Sequence, residues 1–284
     1  MDLIIDTDLG HDPDDFFAIL YLVSAGVNIR ALLLSPGDPD QVAIARLICD
    51  EVGLNIPVGV SKPDRTAASS GGMHHELLAR RGRPLAGKAD GPGEDVLEQV
   101  FRDGMELFII GPPSNVGKFL KKHPEAAIVR ATMQGGFVPY SVHRPSRVLP
   151  QFEGKEWMPS YNPNGDRPGT LAFCAAQVGE RRFVSKNVCH TVVYNREVHA
   201  TLGPKDRASE LFKDGMDLYL ARHEGKMFHD PTAAVCHLHP EVATWVRGKL
   251  VKQQGGWSTE SGGEDFFAVD LDYERLWQHI TGMF

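Results

Sequence analysis

The segment DTDLGHDPDD, Asp6–Asp15, places five aspartates within ten residues. Leu3, Ile4 and Ile5 precede it and Phe16 follows, so the pattern reads as a short apolar strand that empties its carboxylates into a turn. Five like charges in so short a space repel one another and raise each other's pKa, so a fold that gathers them must spread them into water or supply a cation. A bound divalent metal is the economical answer. Asp14 and Asp15 have a simpler explanation as first-turn residues of a helix, where carboxylates meet the positive end of the dipole. Asp6, Asp8 and Asp12 have no such explanation. Hard cations prefer oxygen ligands, and Ca²⁺ takes about six to eight of them. A calcium-binding helix-loop-helix is excluded, because the position that would close its loop with an acid, the twelfth from Asp6, is Phe17.

Working outward, short apolar runs alternate with amphipathic stretches, the pattern of a parallel sheet with crossover helices. Strands are expected at 3–6, 29–35, 56–61, 107–111 and 127–134, with helices at 14–25, 40–52, about 94–103 and 114–122. The predicted architecture is α/β: a mostly parallel, Rossmann-like open sheet with helices on both faces. Ligands bind such sheets beyond the carboxyl ends of the strands, where the first strand delivers its aspartates. The stretch 62–93 reads as a long excursion, rich in Gly and basic residues, and 137–168 as a second irregular segment. Helices resume at about 168–179, 205–223 and 230–238, and the C-terminal part reads as a strand pair followed by a last helix.

The chain has 284 residues, 42% hydrophobic, with no linker to divide it, so a single domain over 1–284 is expected. A net charge of −7 and the lack of a basic run argue against nucleic acid as partner. Cys49, Cys174, Cys189 and Cys236 are scattered within apolar stretches and read as buried thiols of a reducing compartment. The first strand starts close to Met1 and no apolar run approaches about 18 residues, so a cytoplasmic protein without a membrane partner is expected.

A second polar block, His229-Asp230-Pro231, opens the apolar run TAAVCHLHPE and sets an imidazole beside a carboxylate at a helix start. Taken alone, Asp230 followed by Pro231 is also an ordinary way to begin a helix.

With these blocks in view, the chain resembles the nucleoside hydrolases, the inosine-uridine preferring N-ribohydrolase family. Three segments carry the resemblance: Asp6, Asp8, Gly10, Asp14 and Asp15 followed by FFAIL; IIGPPSNVGKFLKKHPE at 109–125; and His229-Asp230-Pro231. The resemblance implies Ca²⁺-dependent hydrolysis of the N-glycosidic bond of a ribonucleoside or related N-riboside, with a homodimer or homotetramer as the usual assembly. It implies Asp8 as both metal ligand and general base, with Asp15, the Ile110 carbonyl and Asp230 as further ligands. Asp14 would hold ribose hydroxyls, His229 would protonate the leaving base, and Asp6 and Asp12 would support the cluster. The chemistry is coherent: cleaving the bond builds positive charge on the sugar, and carboxylates near it stabilise that charge.

The family's asparagine after the second strand is replaced here by Asp38, within SPGD, and its ribose-gripping EFN block falls at Ser160-Tyr161-Asn162. Asn162 is kept and the glutamate is lost, so Glu156 or Asp166 would have to substitute. His74, His75, Trp157 and Tyr161 are candidates to stack on or hydrogen-bond a base. Two other readings stand beside the hydrolase. One is a catalytically weak or inactive homologue that binds a ribosylated ligand, which the missing glutamate favours. The other is an aspartate-nucleophile phosphatase, for which no convincing downstream lysine and Ser/Thr set is present.

Overall fold

The structure is a computed structural model describing residues 1–284. In chain order the elements are β1 (Asp2–Thr7), α1 (Pro13–Ser24), β2 (Asn28–Leu34), α2 (Pro39–Val52), β3 (Val58–Val60), α3 (Met73–Arg80), β4 (Gly91–Pro92), α4 (Gly93–Val100), β5 (Glu106–Ile109), α5 (Ser114–Lys122) and β6 (Ile128–Gln134). There follow α6 (Tyr161–Gly165), α7 (Arg167–Ala175), β7 (Val178–Val184), α8 (Lys186–Cys189), β8 (Val193–Asn195), α9 (Arg196–Ala200), α10 (Arg207–Leu220) and β9 (Gly225–Met227). The last elements are α11 (His229–Leu238), β10 (Ala243–Gln253), β11 (Gly256–Ser261), β12 (Asp265–Leu271) and α12 (Tyr273–Thr281).

Ten strands form one sheet in the order β11-β10-β12-β7-β6-β5-β1-β2-β3-β4. Every pair from β12 to β4 is parallel, and β10 and β11 add an antiparallel edge. The predicted mostly parallel α/β sheet is therefore present, with β1 well inside it. Leu3 and Ile5 of β1 belong to one apolar cluster and Ile4 to another, as expected of a strand covered on both faces. The larger cluster takes α1, α2, α3, α10, α11 and α12; the smaller takes α4, α5 and α7. This sandwiching is why the aspartates after β1 emerge at a rim and not on a solvated face.

Two sequence expectations are corrected. The 62–93 excursion contains α3, whose Met73, His74, Leu77 and Leu78 are buried against the core. The helix expected to run to 179 ends at Ala175, and VGERRFV forms the parallel strand β7 between β6 and β12. Its charges misled: Arg181 Nη1 lies 2.6 Å from Asp265 Oδ1 and Arg182 Nη2 lies 2.6 Å from Glu180 Oε1, so the arginines are paired within the sheet. The C-terminal strand pair is β10–β11, with β12 as a third strand that ties it to β7.

His74 carries a stability consequence. Its ring packs edge-on against Phe16 with centroids 6.1 Å apart, its Nε2 has no partner, and burial pushes its pKa down from 6.5 to about 4. The folded state keeps this imidazole neutral while the unfolded chain binds a proton below pH 6.5, so stability is lost as pH falls from 6.5 towards 4. For this group the loss approaches about 3 kcal/mol at the acid end of that window. His74→Leu is expected to flatten the pH dependence of the urea midpoint between pH 4 and 6.5. An unchanged slope would remove His74 as the cause.

Candidate functional site

β1 ends in a turn built by its own side chains. Thr7 Oγ1 accepts the Leu9 amide at 3.0 Å and donates to Asp15 Oδ1, which fastens the strand end to the first turn of α1. Gly10 adopts φ +101, a conformation glycine alone takes readily. Gly111, after β5, lies so close that a Cβ there would be 2.4 Å from the Asp8 amide nitrogen. Only glycine lets this turn pass against Asp8.

Asp8, Asp12, Asp14, Asp15, Ile110, Asn162, His229 and Asp230 line one cavity of about 390 Å³, together with His11, Gln134 and Tyr161. The structure thus gathers residues near both ends of the chain, as the sequence reading required. Carboxylate oxygens of Asp14, Asp15 and Asp230 lie within 4.8 Å of one another. Asp14 therefore sits among the candidate ligands, whereas the sequence reading placed it on ribose. Burial, reinforced by mutual repulsion, raises the pKa of Asp8, Asp15 and Asp230 well above the ordinary carboxylate range. Buried carboxylates that repel one another this strongly fit a bound cation, and an all-oxygen donor set suits a hard one.

Asp14 behaves differently. Its Oδ2 accepts from the amides of His229 at 3.3 Å and Asp230 at 3.4 Å and lies 3.3 Å from His229 Nδ1, while Oδ1 is 3.4 Å from Lys226 Nζ. Burial alone would raise its pKa, but the His229 hydrogen bond and the Lys226 charge outweigh it and hold the carboxyl below its usual range. His229 in turn has its Nδ1 engaged, and its buried Nε2 has no partner.

Asp12 is the N-cap residue of α1 yet makes no capping bond; it pairs with Lys226. Asp6 accepts from Asn115 Nδ2 at 2.8 Å and from the Val116 amide at 3.1 Å, locking β1 to the start of α5. Asn162 donates to the Ile110 carbonyl at 3.0 Å and to Gln134 Oε1 at 2.9 Å, so its amide nitrogen orients the cavity wall.

Other sequence candidates lie elsewhere. Asp38 is fully buried and paired with Arg65, so it adds no free negative charge to the cavity. His74 is in the core against Phe16, not at a base, and His75 Nε2 is 3.0 Å from Asp40 Oδ2. Glu156 and Trp157 line a separate surface depression with Met158. Asp166 caps α7, accepting the Gly169 amide at 2.8 Å. Neither Glu156 nor Asp166 therefore lines the acidic cavity.

The sequence reading missed Lys226, His11, Gln134 and Asn115. Asn115 lies inside the GPPSN block and was within reach of a residue-by-residue reading. Lys226 precedes the His229-Asp230-Pro231 block by three positions and carries no motif of its own.

Residues 3–278 match the model of a family described as inosine-uridine preferring nucleoside hydrolase. Among solved structures the chain is similar to a plant nucleoside hydrolase, at TM-score 0.76 and 18% identity, covering 99% of this chain and 98% of that one. It is also similar to a purine-preferring ribonucleoside hydrolase from Gardnerella vaginalis, at TM-score 0.71 and 17% identity, covering 100% and 99%. At these identities the likeness is one of fold. An uncharacterized protein of Aquifex aeolicus (strain VF5) is 23% identical over 262 residues, 88% of this chain and 87% of that protein.

Proposed function

The chain belongs to the inosine-uridine preferring nucleoside hydrolase family, and on that premise we propose that it hydrolyses the N-glycosidic bond of a ribonucleoside or related N-riboside, giving ribose and free base. The observation that carries the reading is the meeting of Asp8, Asp15, Asp230 and His229 in one cavity. Asp14, Asp15 and Asp230 would hold a Ca²⁺ ion, with Asp8 and the Ile110 carbonyl beside them. When bound, such an ion fixes and acidifies a water and takes ribose hydroxyl oxygens.

Asp8 receives a proton from the water that attacks the anomeric carbon. His229 gives a proton from Nε2 to the departing base, its Nδ1 held by Asp14. The acidic wall stabilises the positive charge that builds on the sugar. Asp14 here positions His229, a task added to the ribose contact inferred from sequence. The same reading takes 1–284 as one domain and places the protein in cytoplasmic purine or pyrimidine salvage as a homodimer or homotetramer. No helix is long and apolar enough to cross a membrane.

A second reading, a homologue that binds a ribosylated ligand without cleaving it, is favoured by one observation: Ser160 stands where the family has a glutamate, and neither Glu156 nor Asp166 replaces it. Assay of reducing sugar released from a panel of purine and pyrimidine nucleosides, with Ca²⁺ and after chelation, separates the two. Ribose release that chelation abolishes is the expected result. Tight Ca²⁺ binding with no ribose from any nucleoside would favour the binding homologue, and phosphate release from sugar phosphates would overturn both.

A further inference from the structure

We propose that the substrate of this site carries an anionic group, phosphate or carboxylate, and that a side chamber of the acidic cavity formed by Lys62 and Arg65 receives it. The inference deepens the N-riboside reading and rests on it for the identity of the sugar.

The chamber, about 150 Å³, adjoins the acidic cavity, and Asp8, His11 and Tyr161 line both. Its far wall carries Lys62 and Arg65. Arg65 is anchored from behind: Nε and Nη2 both bond to the carboxylate of Asp38, the latter at 3.1 Å. Asp38 is itself fixed, since its amide donates to Gln41 Oε1 at 2.9 Å and its side chain is fully buried. Two of the guanidinium nitrogens are thereby held in place, which leaves Nη1 to serve a ligand. Lys62 forms no ion pair with any carboxylate. The backbone that leads into Lys62 is fixed at Ser61, whose carbonyl accepts from Lys118 Nζ at 2.7 Å.

The two adjoining spaces are therefore oppositely charged. Aspartates and any bound cation occupy one end, and a buttressed guanidinium beside an unpaired ammonium occupies the other. A neutral nucleoside satisfies the first end and leaves the second unused. A phosphate or carboxylate set off from the ribose uses both, and Arg and Lys recognise either anion. The chemistry leaves two sources for the charge, a phosphoryl group on the sugar or a carboxylate on the base.

Calorimetric titration of the Ca²⁺-loaded protein, with turnover suppressed by Asp8→Asn, with inosine, inosine 5′-monophosphate and orotidine distinguishes them, while ribose release is assayed on the parent protein. One of the two anionic compounds is expected to bind about tenfold or more tightly than inosine, the gain of one charge-assisted hydrogen bond. Lys62→Met should reduce that ratio towards one. Because Arg65→Gln alone would leave Asp38 buried and unpaired, the paired variant Asp38→Asn with Arg65→Gln is the folding-safe companion, with the same expectation. Inosine binding equal to or tighter than both anionic compounds would overturn the proposal. So would a preference that survives both variants, since the metal alone would then be its source. Preferential anion binding without release of ribose would keep the chamber and fell the hydrolase reading, so the two fail separately.

Discussion

Asp8→Asn is expected to leave the fold intact and to lower kcat for ribose release by about a thousandfold, the usual contribution of a positioned general base. Asp8 stands just beyond the carboxyl end of β1, buried, with its pKa raised first by burial and next by Asp14. The one buried lysine nearby pairs with Asp12 and Asp14 and leaves Asp8 without a protein cation. Its charge is therefore a cost to the folded chain. Asparagine keeps the shape and removes that cost, so the metal-free variant should melt no lower than the parent protein. Loss of turnover together with an undiminished melting temperature is the signature of a group kept for chemistry. Turnover within about tenfold of the parent would move the base elsewhere, since removing a working base costs a hundredfold or more. A fall in melting temperature would assign Asp8 a structural role instead.

The part of this site that was legible in the sequence is the part whose chemistry is contiguous. Asp6 to Asp15 and His229-Asp230-Pro231 announce themselves because dense like charge at a strand or helix end needs a reason. The sheet was legible wherever strands are apolar on both faces, as in β1, β2 and β5. β7 was not, because Arg181 and Arg182 look like an exposed helix face until Asp265, distant in sequence, is seen to pair with one of them. His74 illustrates the opposite error. Gly-rich flanks suggested a loop, while Met73, Leu77 and Leu78 already had the spacing of a buried helical face. Asp38 stands in the sequence only as a replacement for the family's asparagine, and nothing in a single sequence joins it to Arg65.

Lys226→Met is expected to destabilise the metal-free protein by about 3 kcal/mol, read as a lower urea midpoint, because it removes one partner of a largely buried ion-pair network. Lys226 lies on β9, 6% exposed, and reaches both Asp12 and Asp14. Burial disfavours its charge, yet the two aspartates outweigh that and hold its pKa above the ordinary lysine value. Without it, Asp14 stays buried with only His229 and backbone amides to meet its charge. The consequence for metal binding has the opposite sign. Lys226 and a divalent ion held as proposed would draw on the same carboxylate, Asp14, so the ammonium would repel the ion it helps to replace. The variant should bind Ca²⁺ more tightly than the parent, and saturating Ca²⁺ should stabilise it by more, closing part of the gap in urea midpoints. A deficit that Ca²⁺ leaves unchanged would mean that Lys226 acts only as a strut between β9 and α1. A narrowed deficit would show that the cluster has two interchangeable sources of positive charge, one delivered by the chain and one taken from solution.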